Sequence, residues 1–254
     1  MFTNILTYLF NNPLVSYCTL IILVVVALSI DINNYNRSTY YKITHNPYYK
    51  VRGSVFSIFK DYLGALGEYL LYNELKIFEK NGAKILFNCY ITKSNDQTSE
   101  IDVIMIHPSG IYVFENKNYS GWIFGNEKDK FWTQTLPNGK GKTKKSHFLN
   151  PIIQNQAHVN TLSNYINKIL PVYSIIVFSN RCTLKNINKD YNHSYVIHRS
   201  SLQKTIFKII SVTQTYISSD EMNQIYEKLY PLTQVSNDIK KKHIENISSY
   251  AKKQ

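Results

Sequence analysis

The sequence is short of cysteine and of acidic residues. Three cysteines, Cys18, Cys89 and Cys182, are spread over 254 residues. No C-x-x-C pair occurs, which argues against a zinc cluster. The odd count and wide spacing argue against a disulfide framework, so no disulfide-linked partner is expected. That usage suits a reducing compartment. Asp and Glu together number 17 against 29 Lys and Arg, giving a formal net charge of +12 and a pI of about 9.4. Such a surplus favours polyanionic partners, either nucleic acid or an anionic membrane surface. There is no internal repeat, phosphate-binding glycine loop or nucleophile elbow. That removes the usual sequence grounds for a repeat array, a nucleotide-phosphate cradle or a serine hydrolase.

A second absence is local. Leu14 to Ile30 reads L-V-S-Y-C-T-L-I-I-L-V-V-V-A-L-S-I and carries no charge. The run sits at the short end for a membrane span, and Pro13 with the upstream Leu6, Tyr8, Leu9 and Phe10 makes spanning easier. Residues 1–13 hold no Lys or Arg, and no small-x-small cleavage site follows Ile30, so a cleaved signal peptide fits less well. Arg37, Lys42, Lys50, Arg52 and Lys60 all lie downstream, which places the body of the chain in the cytoplasm by the positive-inside rule. The expected organisation is an anchor over residues 1–31, a linker over 32–54, a globular domain over 55–235 and a basic tail over 236–254. The expected location is the cell membrane, crossed once.

The chemistry concentrates between Glu100 and Gly125. Two apolar, β-branched runs flank His107-Pro108-Ser109-Gly110, whose turn chemistry includes a glycine free to take positive φ. Both runs read as strands buried on both faces. Asp102, Glu115 and Lys117 interrupt them, and a charge in a buried strand is costly unless paired or bound to a metal. Glu115 and Lys117 share a face at i and i+2, and hairpin pairing brings Asp102 across from them. Two hard oxygen donors suit Mg²⁺, and a nearby lysine can orient water or neutralise phosphate charge.

Asp102 followed by Glu115-Asn116-Lys117 resembles the active-site signature of the PD-(D/E)xK nuclease superfamily. The wider pattern resembles the nuclease-related domain, NERD, over about residues 61–180. It comprises Gly67-Glu68, Glu100-Ile101-Asp102, Gly110-Ile111, Glu115-Asn116-Lys117-Asn118-Tyr119-Ser120-Gly121, Trp132, Asn150-Pro151, Gln154-Asn155 and His158. Ile101 stands where the superfamily usually has proline. The resemblance implies a restriction-endonuclease-like α/β fold, a mixed sheet flanked by helices, behind an N-terminal transmembrane helix. It implies Mg²⁺ or Mn²⁺ held by Asp102 and Glu115, with Lys117 orienting the attacking water and Glu68 as a third acidic group. DNA is the expected substrate ahead of RNA. The competing reading is a non-catalytic nucleic-acid-binding or interaction module on the same fold.

The remaining elements follow from pattern. A helix is expected from about Val55 to Lys80, with Leu63, Leu66, Leu70 and Leu71 on its buried face, and Gly64 and Gly67 allowing close approach to the sheet. Asn81-Gly82 supplies its C-cap. A second helix starts at Asn150-Pro151 and runs to about Ile169, with Ile153, Ala157, Leu162, Tyr165, Ile166 and Ile169 as its buried stripe. Gln154 and His158 share a face of it. Gln154 is expected to contact substrate or to hold the Glu115–Lys117 end of the sheet, and His158 to pack or hydrogen bond without binding metal. Lys140, Lys142, Lys144 and Lys145 lie in an expected flexible basic loop and are candidates for phosphate contact.

Overall fold

The computed structural model describes residues 13–47, 60–93, 97–139, 141–185, 187, 190–191 and 194–252. The expectations for residues 1–12, 48–59 (Lys50 and Arg52 among them), Lys140 and residues 253–254 lie outside the described residues, as does the side chain of Leu63. Helix α1 (Pro13–Asn36) and the short α2 (Thr39–Thr44) precede helix α3 (Lys60–Lys80). Then come strands β1 (Lys84–Thr92), β2 (Thr98–His107), β3 (Gly110–Lys117), β4 (Gly121–Phe124), β5 (Phe131–Pro137) and β6 (Thr143–Leu149). Helix α4 (Pro151–Ile166) leads to β7 (Val172–Phe178), β8 (Cys182–Lys185), β9 (Asp190–Tyr191) and β10 (Ser194–His198). Helices α5 (Leu202–Val212), α6 (Ser219–Leu229) and α7 (Asn237–Lys252) follow. The strands form two mixed sheets, β1-β2-β3-β7-β10-β9 and β6-β5-β4-β8. The chain is therefore a mixed α/β protein with an apolar N-terminal helix, as the sequence pattern indicated.

The β2–β3 hairpin sits at the middle of the larger sheet because its runs Val103–Ile106 and Ile111–Phe114 are apolar and both of its faces are covered there. Ile101, Val103 to Ile106 and Ile111 to Phe114 have no exposed surface. Gly110 closes the hairpin with φ +142°, and a Cβ there would lie 2.7 Å from the Pro171 carbonyl oxygen. That carbonyl instead accepts the Ile111 N–H at 2.9 Å, which ties β3 to the start of β7. From there β3 and β7 run parallel, from Ile111 opposite Val172 to Lys117 opposite Phe178.

Helix α1 offers one segment, Leu14–Asn36, with a mean hydropathy of 2.4 and none of its apolar window buried. At ~1.5 Å per residue its 24 residues span about 36 Å, enough for a hydrocarbon core of about 30 Å. Within residues 32–54, expected to be a linker, Tyr35 at the end of α1 and Tyr40 and Ile43 on α2 are buried in the main core. The Asn- and Tyr-rich composition concealed this because tyrosine buries its ring while its hydroxyl finds a partner. Tyr40 Oη donates to the Ala65 carbonyl at 3.1 Å.

The two helix stripes are shifted from their expected positions. On α3, Ala65, Tyr69, Leu71, Tyr72, Leu75 and Phe78 are buried, while Leu66 and Leu70 are only partly covered. On α4 the buried residues are Pro151, Ile152, Asn155, His158, Val159, Leu162 and Ile166, whereas Ile153, Ala157 and Ile169 are exposed. A polar residue, Asn155, occupies the core-facing position because its amide donates to the Val113 carbonyl and to Ser174 Oγ, both at 2.9 Å. The helix ends at Asn167 in the left-handed region, short of Ile169. The expected basic loop is also a hairpin from Thr143 onward. Gly139 (φ +69°) and Gly141 (φ +72°) turn the chain, and β6 then pairs with β5.

Of the two α3 glycines, only Gly67 serves close approach. A Cβ on it would lie 2.6 Å from Asn116 Nδ2 and 2.9 Å from Asn118 Cβ, while Gly64 meets nothing within 4 Å. Gly67→Ala should therefore cost about 1–3 kcal/mol by overpacking against the end of β3. Gly64→Ala should stabilise the helix by up to ~1 kcal/mol. Thermal unfolding of both variants checks this. A Gly67→Ala protein as stable as wild type would contradict the contact.

Candidate active site

The hairpin delivers its charges to one end of the sheet. Val103 pairs with Phe114, so the next rung sets Asp102 beside Glu115. Asp102 Oδ2 accepts the Asn116 N–H at 2.9 Å. Lys117 Nζ lies 2.6 Å from Glu115 Oε1 and donates to Gln154 Oε1 at 3.1 Å. Gln154 thus does the second of its two expected jobs: it holds the Glu115–Lys117 end of the sheet. The group stands at the carboxyl end of the parallel β3–β7 pair, where α/β sheets commonly place ligands.

Helix α4 reaches this point because Asn150 fixes its start. Its Oδ1 accepts the Ile152 N–H at 2.9 Å, and its amide donates to the carbonyls of Asn126, Glu127 and Asp129 at 3.1, 2.9 and 2.7 Å. One fully buried asparagine therefore caps the helix and fastens the β4–β5 turn to it. His158, one turn after Gln154, brings Nε2 to 3.3 Å from Glu115 Oε2, while its Nδ1 lies 2.8 Å from Ser99 Oγ. The Nε2–Oε2 approach is too poorly aligned to be a hydrogen bond, and both atoms are buried with no other partner.

Glu115 is 2% exposed. Burial acts to raise its pKa, but the Lys117 ammonium and the His158 ring outweigh that and hold it below the usual carboxylate range. Lys117 is pushed the other way: burial opposes its charge, and Glu115 beside it more than compensates. Asp102 carries the strain. Burial first, then the charges of Glu115 and Glu68, raise it well above its ordinary value against the pull of Lys117 and the Asn116 N–H. Glu68 is raised to about 7 by burial and by the charge of Glu100, against hydrogen bonds from Tyr40 and Asn88. Tyr40 Oη also lies 3.3 Å from Glu68 Oε2, so its one proton is shared between that carboxylate and the Ala65 carbonyl.

Two contributors were not foreseen from sequence. Asn88 interrupts the β1–β2 register opposite Asp102 and has φ +51°, a conformation asparagine tolerates better than most residues. The signal was present: a single asparagine inside K-I-L-F-N-C-Y-I-T. The other is His243 on α7, inside the segment expected to be a basic tail. Its Nδ1 lies 2.8 Å from Thr98 Oγ1 and its Nε2 3.4 Å from Glu100 Oε2, which docks α7 beside the site. A cleft of about 400 Å³ results, with Asp102, Glu100 and Gln154 on one side and His243 and Ile247 on the other. Asp102 lines it and Glu115 does not. Of the basic residues expected to touch phosphate, Lys144 and Lys145 lie exposed on β6 and Lys142 beside Trp122; none of the three lines this cleft.

The site's donors fit one divalent cation. Among the described residues no cluster of three or more His, Cys, Asp or Glu side chains forms. Asp102 and Glu115 offer two carboxylates, and Glu115 Oε2 is buried without a hydrogen-bond donor. Mg²⁺ is usually held by one or two carboxylates, with water and phosphate completing its shell.

The hairpin that carries Asp102, Glu115 and Lys117 to the end of the sheet lies within a stretch that matches a nuclease-related family. The family profile described as NERD, nuclease-related domain, matches residues 63–179. An uncharacterized protein of Bacillus anthracis is 33% identical over 191 residues, covering 75% of this chain and 86% of that protein. The chain belongs to the nuclease-related domain family. No solved structure matches it significantly.

Glu68 gives the site a pH signature. Its folded value of about 7 lies above the ordinary 4.5, so between those values the folded state holds more protons than the unfolded chain. Stability should fall as pH rises through that window. Glu68→Gln should flatten the fall in melting temperature between pH 4.5 and 7. An unchanged slope would show that Glu68 titrates normally.

Proposed function

We propose that this protein is a membrane-anchored, Mg²⁺- or Mn²⁺-dependent nuclease that hydrolyses phosphodiester bonds of nucleic acid, with DNA preferred over RNA. The observation that carries the reading is the convergence of Asp102, Glu115 and Lys117 at one sheet end, with a buried, unsatisfied carboxylate oxygen among them. Helix α1 would cross the cell membrane once, with the domain on the cytoplasmic side, following the Lys and Arg downstream of it. Asp102 and Glu115 would hold the ion. When bound, it would polarise a phosphoryl oxygen and lower the pKa of a water. Lys117 Nζ, fixed between Glu115 and Gln154, would orient the attacking water and meet the charge that develops on phosphate. Glu68, ionising near neutral pH, is suited to exchange a proton with the site.

Lys117 separates this reading from a binding module on the same fold. In a binding module it is one phosphate contact among several, and its loss would weaken affinity and lower the salt slope by about one unit. In the nuclease it acts on the transition state. Lys117→Ala should leave affinity nearly unchanged and reduce cleavage by ~10²-fold or more. Labelled duplex, single strand and RNA, assayed with Mn²⁺ at matched binding saturation, test this. A wild type that cuts none of them, or a variant that cuts as well as wild type, sinks the catalytic assignment.

A further inference from the structure

The smaller sheet has two unlike faces. Ile123, Trp132 and Leu184 point inward and form a second core with Ile176 and Phe178 of the larger sheet. The opposite face is set by register: Trp122 pairs with Thr135, Thr135 with Lys145, and Phe124 with both Thr133 and Lys185. That outward face exposes Trp122 by 51%, Phe124 by 37% and Phe131 by 41%. A tryptophan and two phenylalanines grouped in the open call for an occupant.

The charge around them says which. The four strands contain no Asp or Glu, and Lys145 and Lys185 stand on the same face as the rings. Lys185 Nζ lies 5.4 Å from the Trp122 ring centroid, and Lys130 Nζ lies 5.3 Å from that of Phe131. Rings interleaved with ammonium groups are the composition of a surface that stacks bases and tracks phosphates. The Trp122 and Phe124 centroids are 6.5 Å apart, about twice the ~3.4 Å per base of a duplex strand. Only a chain with unstacked bases can set successive bases on such rungs. The face also leads to the cleft, because Leu149 pairs with Phe131 on it and lines the cleft beside Asp102.

We propose that the outer face of the small sheet, built on Trp122, Phe124 and Phe131 with Lys145 and Lys185, binds single-stranded nucleic acid and leads it to the Asp102 cleft. The proposal deepens the nuclease reading and rests on it for the identity of the cleft, but the binding can be measured without cleavage.

The full-length protein in detergent, with EDTA present, is titrated with a labelled oligothymidylate and with a duplex. The chain has two tryptophans, and Trp132 is fully buried, so quenching reports on Trp122. The oligothymidylate should quench that fluorescence. Trp122→Ala should weaken single-strand binding about tenfold and leave duplex binding nearly unchanged, while Trp122→Phe stays within about threefold. Lys145→Ala with Lys185→Ala should lower the single-strand salt slope by about 1.4. Single-strand affinity unchanged in both the Trp122→Ala and the double lysine variant overturns the proposal, even if Lys117-dependent cleavage is intact. If the binding effects hold but nothing is cut, the platform stands and the nuclease reading falls. Quenching by anionic vesicles or by self-association, with none by the oligothymidylate, assigns the face to lipid or a second copy and also overturns it.

Discussion

The site depends on a carboxylate buried where water cannot reach it. Glu115 sits at the end of a strand whose preceding residues are all apolar, and its ionised form needs compensation there. Lys117 supplies the charge, two residues along the same strand. Helix α4 supplies the rest, with Gln154 on Lys117 and His158 against Glu115. The position of α4 is in turn fixed by the buried cap at Asn150 and by Asn155, which reaches the Val113 carbonyl from the helix's inner face. A helix, a turn and two strands are therefore held in the arrangement that keeps one carboxylate charged.

The compensation is incomplete. Glu115 Oε2 and His158 Nε2 face each other without a proper hydrogen bond, and Asp102 is pushed up by Glu115 and Glu68. Sites that hold a cation or stabilise a transition state commonly carry such local instability, offset by the surrounding fold. Asn88, in the left-handed region opposite Asp102, is a second local concession at the same place. A divalent ion between the carboxylates would relieve the repulsion that Asp102 feels.

The membrane-length helix is not a loose tether. Tyr35, at its end, is buried with Tyr40 and Ile43 in the main core. Tyr35 lies against the Tyr40 ring of α2, and Tyr40 reaches Glu68 of α3, so the first helix is joined to an acidic group of the site through side chains of the next two helices. At the far end of the chain, α7 docks through His243 and completes the cleft. Both termini of the described chain thus contribute to the setting of a site carried by its middle.

The hairpin, its turn glycine and the convergence of Asp102, Glu115 and Lys117 were legible in sequence, because strand alternation and turn chemistry are local. The buried stripes of α3 and α4 were not. Tyr69 and Tyr72 outcompete Leu66 and Leu70 for the core, and Asn155 is core-facing only through partners on other elements. The roles of Asn88 and His243 depend on pairings that sequence does not display. The proposed chemistry requires Asp102 and Glu115 to share a cation. Crystals of the full-length protein soaked in Mn²⁺ and measured at the manganese absorption edge test it directly. One anomalous peak bonded to carboxylate oxygens of both residues, at about 2.1 Å as hard divalent ions of this size require, is the predicted result. An ion ligated elsewhere, or none at this site, would contradict it.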